Sequence, residues 1–176
     1  MIQRKQPSTG FSLIEVLVAL LVFSLGLIGL AGLLVMSSQA NHGAFIRTQA
    51  TFLAQNMADR MRANPIGIWQ GGYNGSWPTT ATAPTCNASS ACTPAQIATR
   101  DRVQWGDMLA QYLPNDSNLA ATLTCTPQPL GLTMSNYYQV QPPFNGSCTM
   151  NITWTERSLA IGGSPSPQTF AWTFQP

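Results

Sequence analysis

The feature that most limits this chain is an unbroken apolar run close to its start. From Val16 to Met36 there are 21 residues without a charge. A helix of about 20 apolar residues crosses the hydrocarbon core of a bilayer. Arg4 and Lys5 flank the run on one side, and the next cation is Arg47. Basic flanks stay on the cytoplasmic side. The N-terminus is therefore expected in the cytoplasm, and everything after Met36 beyond the membrane. A cleavable signal peptide would instead predict a small-x-small site after the run. Residues 36–44 contain small residues of that kind. The run is long for such a signal, however, and a glutamate, Glu15, sits just inside it.

A carboxylate at the edge of a membrane segment is costly and needs a partner or a role. Glu15 can snorkel to the interface, or it can meet a positive charge during assembly. Cleavage after Gly10 would create that charge as the α-amino group of Phe11, about one helical turn from Glu15. The run Gly10-Phe11-Ser12-Leu13-Ile14-Glu15 resembles the class III signal of type IV pilins and type II secretion pseudopilins. The resemblance implies a prepilin peptidase that cuts after Gly10 and N-methylates Phe11, with Glu15 as the family's assembly carboxylate. It also implies the type IV pilin fold, an α+β arrangement of a long N-terminal helix on an antiparallel sheet.

Four segments follow: a leader over 1–10, a transmembrane and assembly helix over 11–36, an outer half of that helix over 37–64, and a globular domain over 65–176. The helical pattern outlasts the membrane run. Ile46, Ala50, Leu53, Met57 and Met61 recur at spacings of three and four, which draws one helix face. Phe45 and Phe52 are expected to widen that face. Asn64-Pro65 supplies the stop. Phe11 to Asn64 is 54 residues, about 80 Å if wholly helical. Roughly the outer third should then pack on the globular domain. Gly26, Gly29 and Gly32 interrupt the membrane half. They suit close helix packing or local melting. Major pilins commonly carry a proline where this chain has Gly32, so melting there is left open.

Two further stretches narrow the family. Arg60-Met61-Arg62-Ala63-Asn64 resembles the "R-M-R-x-N" signature of PilV-type minor pilins. Asp101, Trp105 and Leu113-Pro114 resemble that group's "D-x-x-x-W … L-P" segment. Cations in a last helical turn also suit the helix dipole without any further role. Trp105 reads as core, and Asp101, Asp107 and Asp116 as surface carboxylates or a helix cap.

Beyond the helix, residues 71–94 read as a loop dense in Gly, Thr, Ala, Ser and Pro. Residues 95–113 read as a second helix, with Ile97, Asp101, Trp105, Met108, Leu109 and Tyr112 on or near one face. After Pro114 the period changes to two. Leu119 to Cys125, Tyr137 to Pro142, Cys148 to Thr155 and Phe170 to Phe174 give a sheet of about four strands with one face buried.

Four cysteines, Cys86, Cys92, Cys125 and Cys148, all follow the apolar run. None forms C-x-x-C, and His42 is remote, which argues against zinc and for two disulfides in an oxidising compartment. Three pairings are possible; proximity favours Cys86–Cys92 and Cys125–Cys148. After residue 10 six arginines balance six acids, so the clustered cations of a nucleic-acid binder are missing. The triplets at Asn74, Asn87, Asn145 and Asn151 match the glycosylation pattern and are read as chance. No catalytic constellation, cofactor or metal site is expected.

The resemblance implies a minor pilin that is stored in the inner membrane and takes part in starting pilus assembly and forming the tip complex. It would support twitching motility and adhesion. Its expected partners are other minor pilins, the major pilin, the prepilin peptidase and the inner-membrane assembly machinery. A type II secretion pseudopilin, or a DNA-uptake or adhesin pilin, is the competing expectation.

Overall fold

A computed structural model describes residues 10–128, 144–158 and 163–176. The first helix, α1, spans Leu13–Ala63, 51 residues without a break. Its first turn is set when Glu15 N–H and Val16 N–H bond to the carbonyl of Ser12. Phe11 precedes the helix and is exposed. The chain divides into two units, one up to Asn41 and one from His42 onward.

In the first unit the apolar side chains from Leu13 to Met36 are all exposed. Among the described residues, α1 is the helix long and apolar enough to cross a membrane. Gly26, Gly29 and Gly32 leave the helical hydrogen bonding intact, and a methyl at any of them would meet nothing within 4 Å.

The second unit begins with the remainder of α1. Ile46, Ala50, Leu53, Ala54, Met57, Ala58 and Met61 are buried, the face drawn by the three-and-four spacing. Phe45 and Phe52 do not widen it, because both are exposed, at 56% and 61%. Each sits one position before a buried residue, and one step of about 100° carries a side chain off the inward stripe. At the end of α1, Asn64 leaves helical geometry (φ −134°, ψ 63°), and its side chain accepts from Gly67 N–H. That starts a one-turn helix, α2 (Pro65–Trp69), with proline at its first position, where the missing N–H has no cost.

The Gly-rich stretch that follows is not all loop. It holds a three-residue strand, β1 (Gly75–Trp77). Gly75 has φ +147°, a backbone conformation that side-chain-bearing residues avoid. Helix α3 (Pro94–Tyr112) opens on a capping box, Thr93 with Gln96, with Pro94 next. Its buried face is Ala98, Asp101, Trp105 and Leu109. Tyr112, expected on or near that face, is exposed.

Strands β2 (Ala120–Thr126), β3 (Ser147–Glu156) and β4 (Ser166–Phe174) complete the sheet. Among the described residues it has four antiparallel strands in the order β1-β2-β3-β4. The number matches the expectation, but β1 comes from the segment read as loop. The run 137–142 lies outside the described residues. Ala121, Leu123, Cys125, Cys148, Met150, Ile152, Trp154 and Phe174 face inward and share one core with the buried residues of α1 and α3. The outward positions are small and uncharged. Thr149 and Thr173 hydroxyls meet at 3.2 Å, and Thr153 and Thr169 at 3.1 Å. Helix on antiparallel sheet is the α+β type IV pilin fold.

Candidate functional site

Two groups of residues stand out. The first is Gly10, Phe11 and Glu15. Gly10 and Phe11 lie just ahead of α1, and Glu15 sits in its first turn. All three are exposed. The Gly10–Phe11 bond thus lies in a segment outside the hydrogen bonding of the helix.

The second group lies where α1 ends, in the second unit. Arg60 Nη1 donates to Asp101 Oδ1 at 3.1 Å and to Gln104 Oε1 at 3.1 Å. Arg60 Nε donates to Asn56 Oδ1 at 2.9 Å. The other carboxylate oxygen, Asp101 Oδ2, accepts from the Tyr73 hydroxyl at 2.7 Å. Asn64 Nδ2 donates to Tyr73 at 3.2 Å and to the Pro94 carbonyl at 2.8 Å. Asp101 is thus no surface carboxylate. It is 7% exposed, and its charge is matched by the guanidinium and the phenol. A buried charge persists only when paired and hydrogen-bonded.

Each position of the Arg60–Asn64 stretch has a separate task. Arg60 reaches α3, Met61 is fully buried in the core, and Arg62 points outward to Asp59 at 2.8 Å. Asn64 caps α2 and reaches the start of α3. Trp105 is fully buried, and its indole N–H donates to the Leu53 carbonyl of α1 at 2.7 Å. Its ring meets Trp77 edge-on at 4.9 Å. Gly106 is what lets Trp77 approach α3, since a methyl there would lie 2.9 Å from the Trp77 ring. The Arg102 guanidinium lies over the Trp77 ring at 5.3 Å from its centre, and burial pulls it below the usual arginine range.

Tyr73 and Trp77 escape the sequence reading. Both are buried aromatics inside a Gly- and Asn-rich turn segment, and that contrast is the available signal. Burial, and then the hydrogen bond to Asp101, push the Tyr73 hydroxyl well above the usual tyrosine range. It stays protonated and acts as a donor. Elsewhere Arg47 of α1 pairs with Glu156 at the end of β3 at 3.0 Å. Cys86 is bridged to Cys92 and Cys125 to Cys148, so all four cysteines are used. Asp107 is exposed, and Asp116 shapes the turn after α3 by accepting from Asn118 N–H at 2.8 Å. Asp101, Asp107 and Asp116 do not form a cluster that could hold a metal.

Comparison with family models gives two matches. Residues 5–31 match the prokaryotic N-terminal methylation motif, which takes in Gly10, Phe11, Glu15, Gly26 and Gly29. Residues 32–103 match a Tt1218-like model described as type IV pilin Tt1218. It takes in Gly32, the Arg60–Asn64 stretch, both cysteines of the first bridge and Asp101, and stops short of Trp105. Comparison with curated proteins and with solved structures returns no match. The two models adjoin, and the second ends on the helix that carries Asp101. They imply membrane association, a prepilin peptidase and assembly into pili. With a methylation motif at one end and the helix-on-sheet fold behind it, the chain belongs to the type IV pilins, a family of structural subunits.

Proposed function

We propose that the chain is a minor pilin of the PilV type, held in the inner membrane until it helps to start a pilus. The observation that carries this reading is the meeting of Arg60 with Asp101 at 3.1 Å. Two separate stretches that resemble the PilV signature converge on one ion pair.

The peptidase cuts after Gly10 and N-methylates Phe11. The freed amine of Phe11 is a cation for Glu15, either in the same helix or in a neighbour's, and guides docking into the growing bundle. Gly26, Gly29 and Gly32 present bare backbone to the helices that pack there, as small residues do in membranes. The N-terminus lies in the cytoplasm and the globular domain in the periplasm. The outer domain contacts other minor pilins and, through them, the major pilin. The subunit joins the tip complex and supports twitching motility and adhesion.

Deletion of the gene, followed by a count of surface pili, tests the reading. The expected result is a strong loss of pili that the wild-type gene restores and Glu15→Ala does not, although Glu15→Ala still enters the membrane. Normal piliation in the deletion strain, with a defect in protein secretion instead, would favour a type II secretion pseudopilin. Salt-resistant DNA binding with normal piliation would favour an uptake pilin.

A further inference from the structure

We propose that Thr80, Thr82 and Thr85 are acceptors for O-linked sugar. Residues 78–93 read Pro-Thr-Thr-Ala-Thr-Ala-Pro-Thr-Cys-Asn-Ala-Ser-Ser-Ala-Cys-Thr, with no charge and no side chain larger than asparagine. A Ser- and Thr-rich tract with interspersed proline is the composition of O-glycosylated segments. The stretch 79–86 forms neither helix nor strand, and Thr80, Thr82 and Thr85 are all exposed. A transferase can approach their hydroxyls without opening a ladder or a helix.

Of the other hydroxyls of the tract, three already have structural work, and the fourth, Ser90, sits in the tight turn where its backbone pairs with Asn87 inside the Cys86–Cys92 loop. Thr79 Oγ1 accepts from Ala81 N–H at 3.2 Å, Ser89 donates to Asn87 Oδ1 at 2.8 Å, and Thr93 caps α3. The side chains of Thr80, Thr82 and Thr85 make no hydrogen bond among the described residues. The fold does not call for threonine there. β-Branched residues are favoured where a strand is pleated and half-buried, and these three lie outside any strand. The sheet threonines differ, because they pair with one another across strands. Pro78, Pro84 and the Cys86–Cys92 bridge limit the conformations open to the tract, so it is presented in a restricted shape.

The donor is a sugar whose anomeric carbon carries a diphosphate. A threonine Oγ1–carbon bond forms and the carbon–oxygen bond to phosphate breaks. The diphosphate leaves with the electron pair, and the hydroxyl proton passes to a base of the transferase.

Intact-mass and peptide mass spectrometry of the mature chain from its own cells tests this. The expected result is a mass excess of whole sugar residues on the tryptic peptide between Arg62 and Arg100. Mild alkaline β-elimination removes it. The triple variant Thr80→Val, Thr82→Val, Thr85→Val abolishes it while the Cys86–Cys92 bridge still forms. An unmodified peptide overturns the proposal. So does sugar that survives the triple variant, or sugar that resists β-elimination and disappears in Asn87→Gln.

Discussion

Arg60 Nη1 and Asp101 Oδ1 stand 3.1 Å apart across 41 residues of sequence, and the pair fastens the last turn of α1 to α3. Side-chain exposure is 26% for Arg60 and 10% for Asp101. Loss of either partner leaves the other charged and poorly solvated. Asp101→Ala should lower the stability of the unit from His42 onward by about 3 kcal/mol. Urea unfolding of the detergent-held mature chain, followed by tryptophan fluorescence, measures it. Arg60→Ala and the double variant complete a cycle. The double variant should be more stable than the sum of the singles predicts, by about 1–3 kcal/mol. Additive losses would mean that the two side chains do not interact.

Tyr73 makes the same network sensitive to alkali. Its hydroxyl is held above the usual tyrosine range by burial and by its bond to Asp101. A group raised in the folded state contributes its stability fully below its unfolded value, near pH 10. That contribution declines as pH rises toward the folded value. Urea midpoints should therefore begin to fall as pH rises above about 10 and keep falling at higher pH. Tyr73→Phe should be less stable at neutral pH by about 1–3 kcal/mol, since Asp101 and Asn64 lose a partner. It should also show a shallower alkaline decline. An equally steep decline in Tyr73→Phe would assign the effect to another group.

The two disulfides should differ in weight. Cys125–Cys148 joins directly paired positions of β2 and β3 and closes a sequence separation of 23. Cys86–Cys92 closes a separation of 6 on the surface. Loop-closure entropy grows with the length closed. Replacing Cys125 and Cys148 by alanine should cost about 3 kcal/mol, and replacing Cys86 and Cys92 clearly less. Thermal unfolding of both double variants beside the wild type decides it.

How far the sequence reveals these features follows from their range. Ile46, Leu53, Met57 and Met61 announce themselves because helical period and burial coincide over four turns. Met150, Ile152 and Trp154 do so through strict alternation along β3. Strand β1 is hidden because three residues carry no period, and its place is set by pairing with Ala121–Leu123 far along the chain. Asp101 reads as a surface acid because its cation lies on another helix and its phenol in a turn. Local pattern says nothing about either. The Gly10–Glu15 signal is legible for the opposite reason, since leader, small residue, acid and apolar run are contiguous.

Phe52 and Leu53 are chain neighbours with opposite surroundings, 61% and 5% exposed. Leu53→Ala should cost about 2–5 kcal/mol by leaving a cavity under the sheet. Phe52→Ser should change monomer stability by less than about 0.5 kcal/mol, because a surface side chain has little to lose. Its cost should appear only on assembly. A large exposed ring on a helix of a filament subunit gains by burial against a neighbour, about 25 cal/mol per Å² removed from water. Phe45 lies seven residues earlier, two helical turns on the same side, and extends the same surface. Phe52→Ser should therefore reach the membrane in normal amount but be depleted from sheared pili. The double variant with Phe45→Ser should be depleted further. Immunoblots of membrane and sheared fractions, with the major pilin as internal standard, separate the two outcomes. Undiminished incorporation of the double variant would mean that this side of α1 stays in water within the filament.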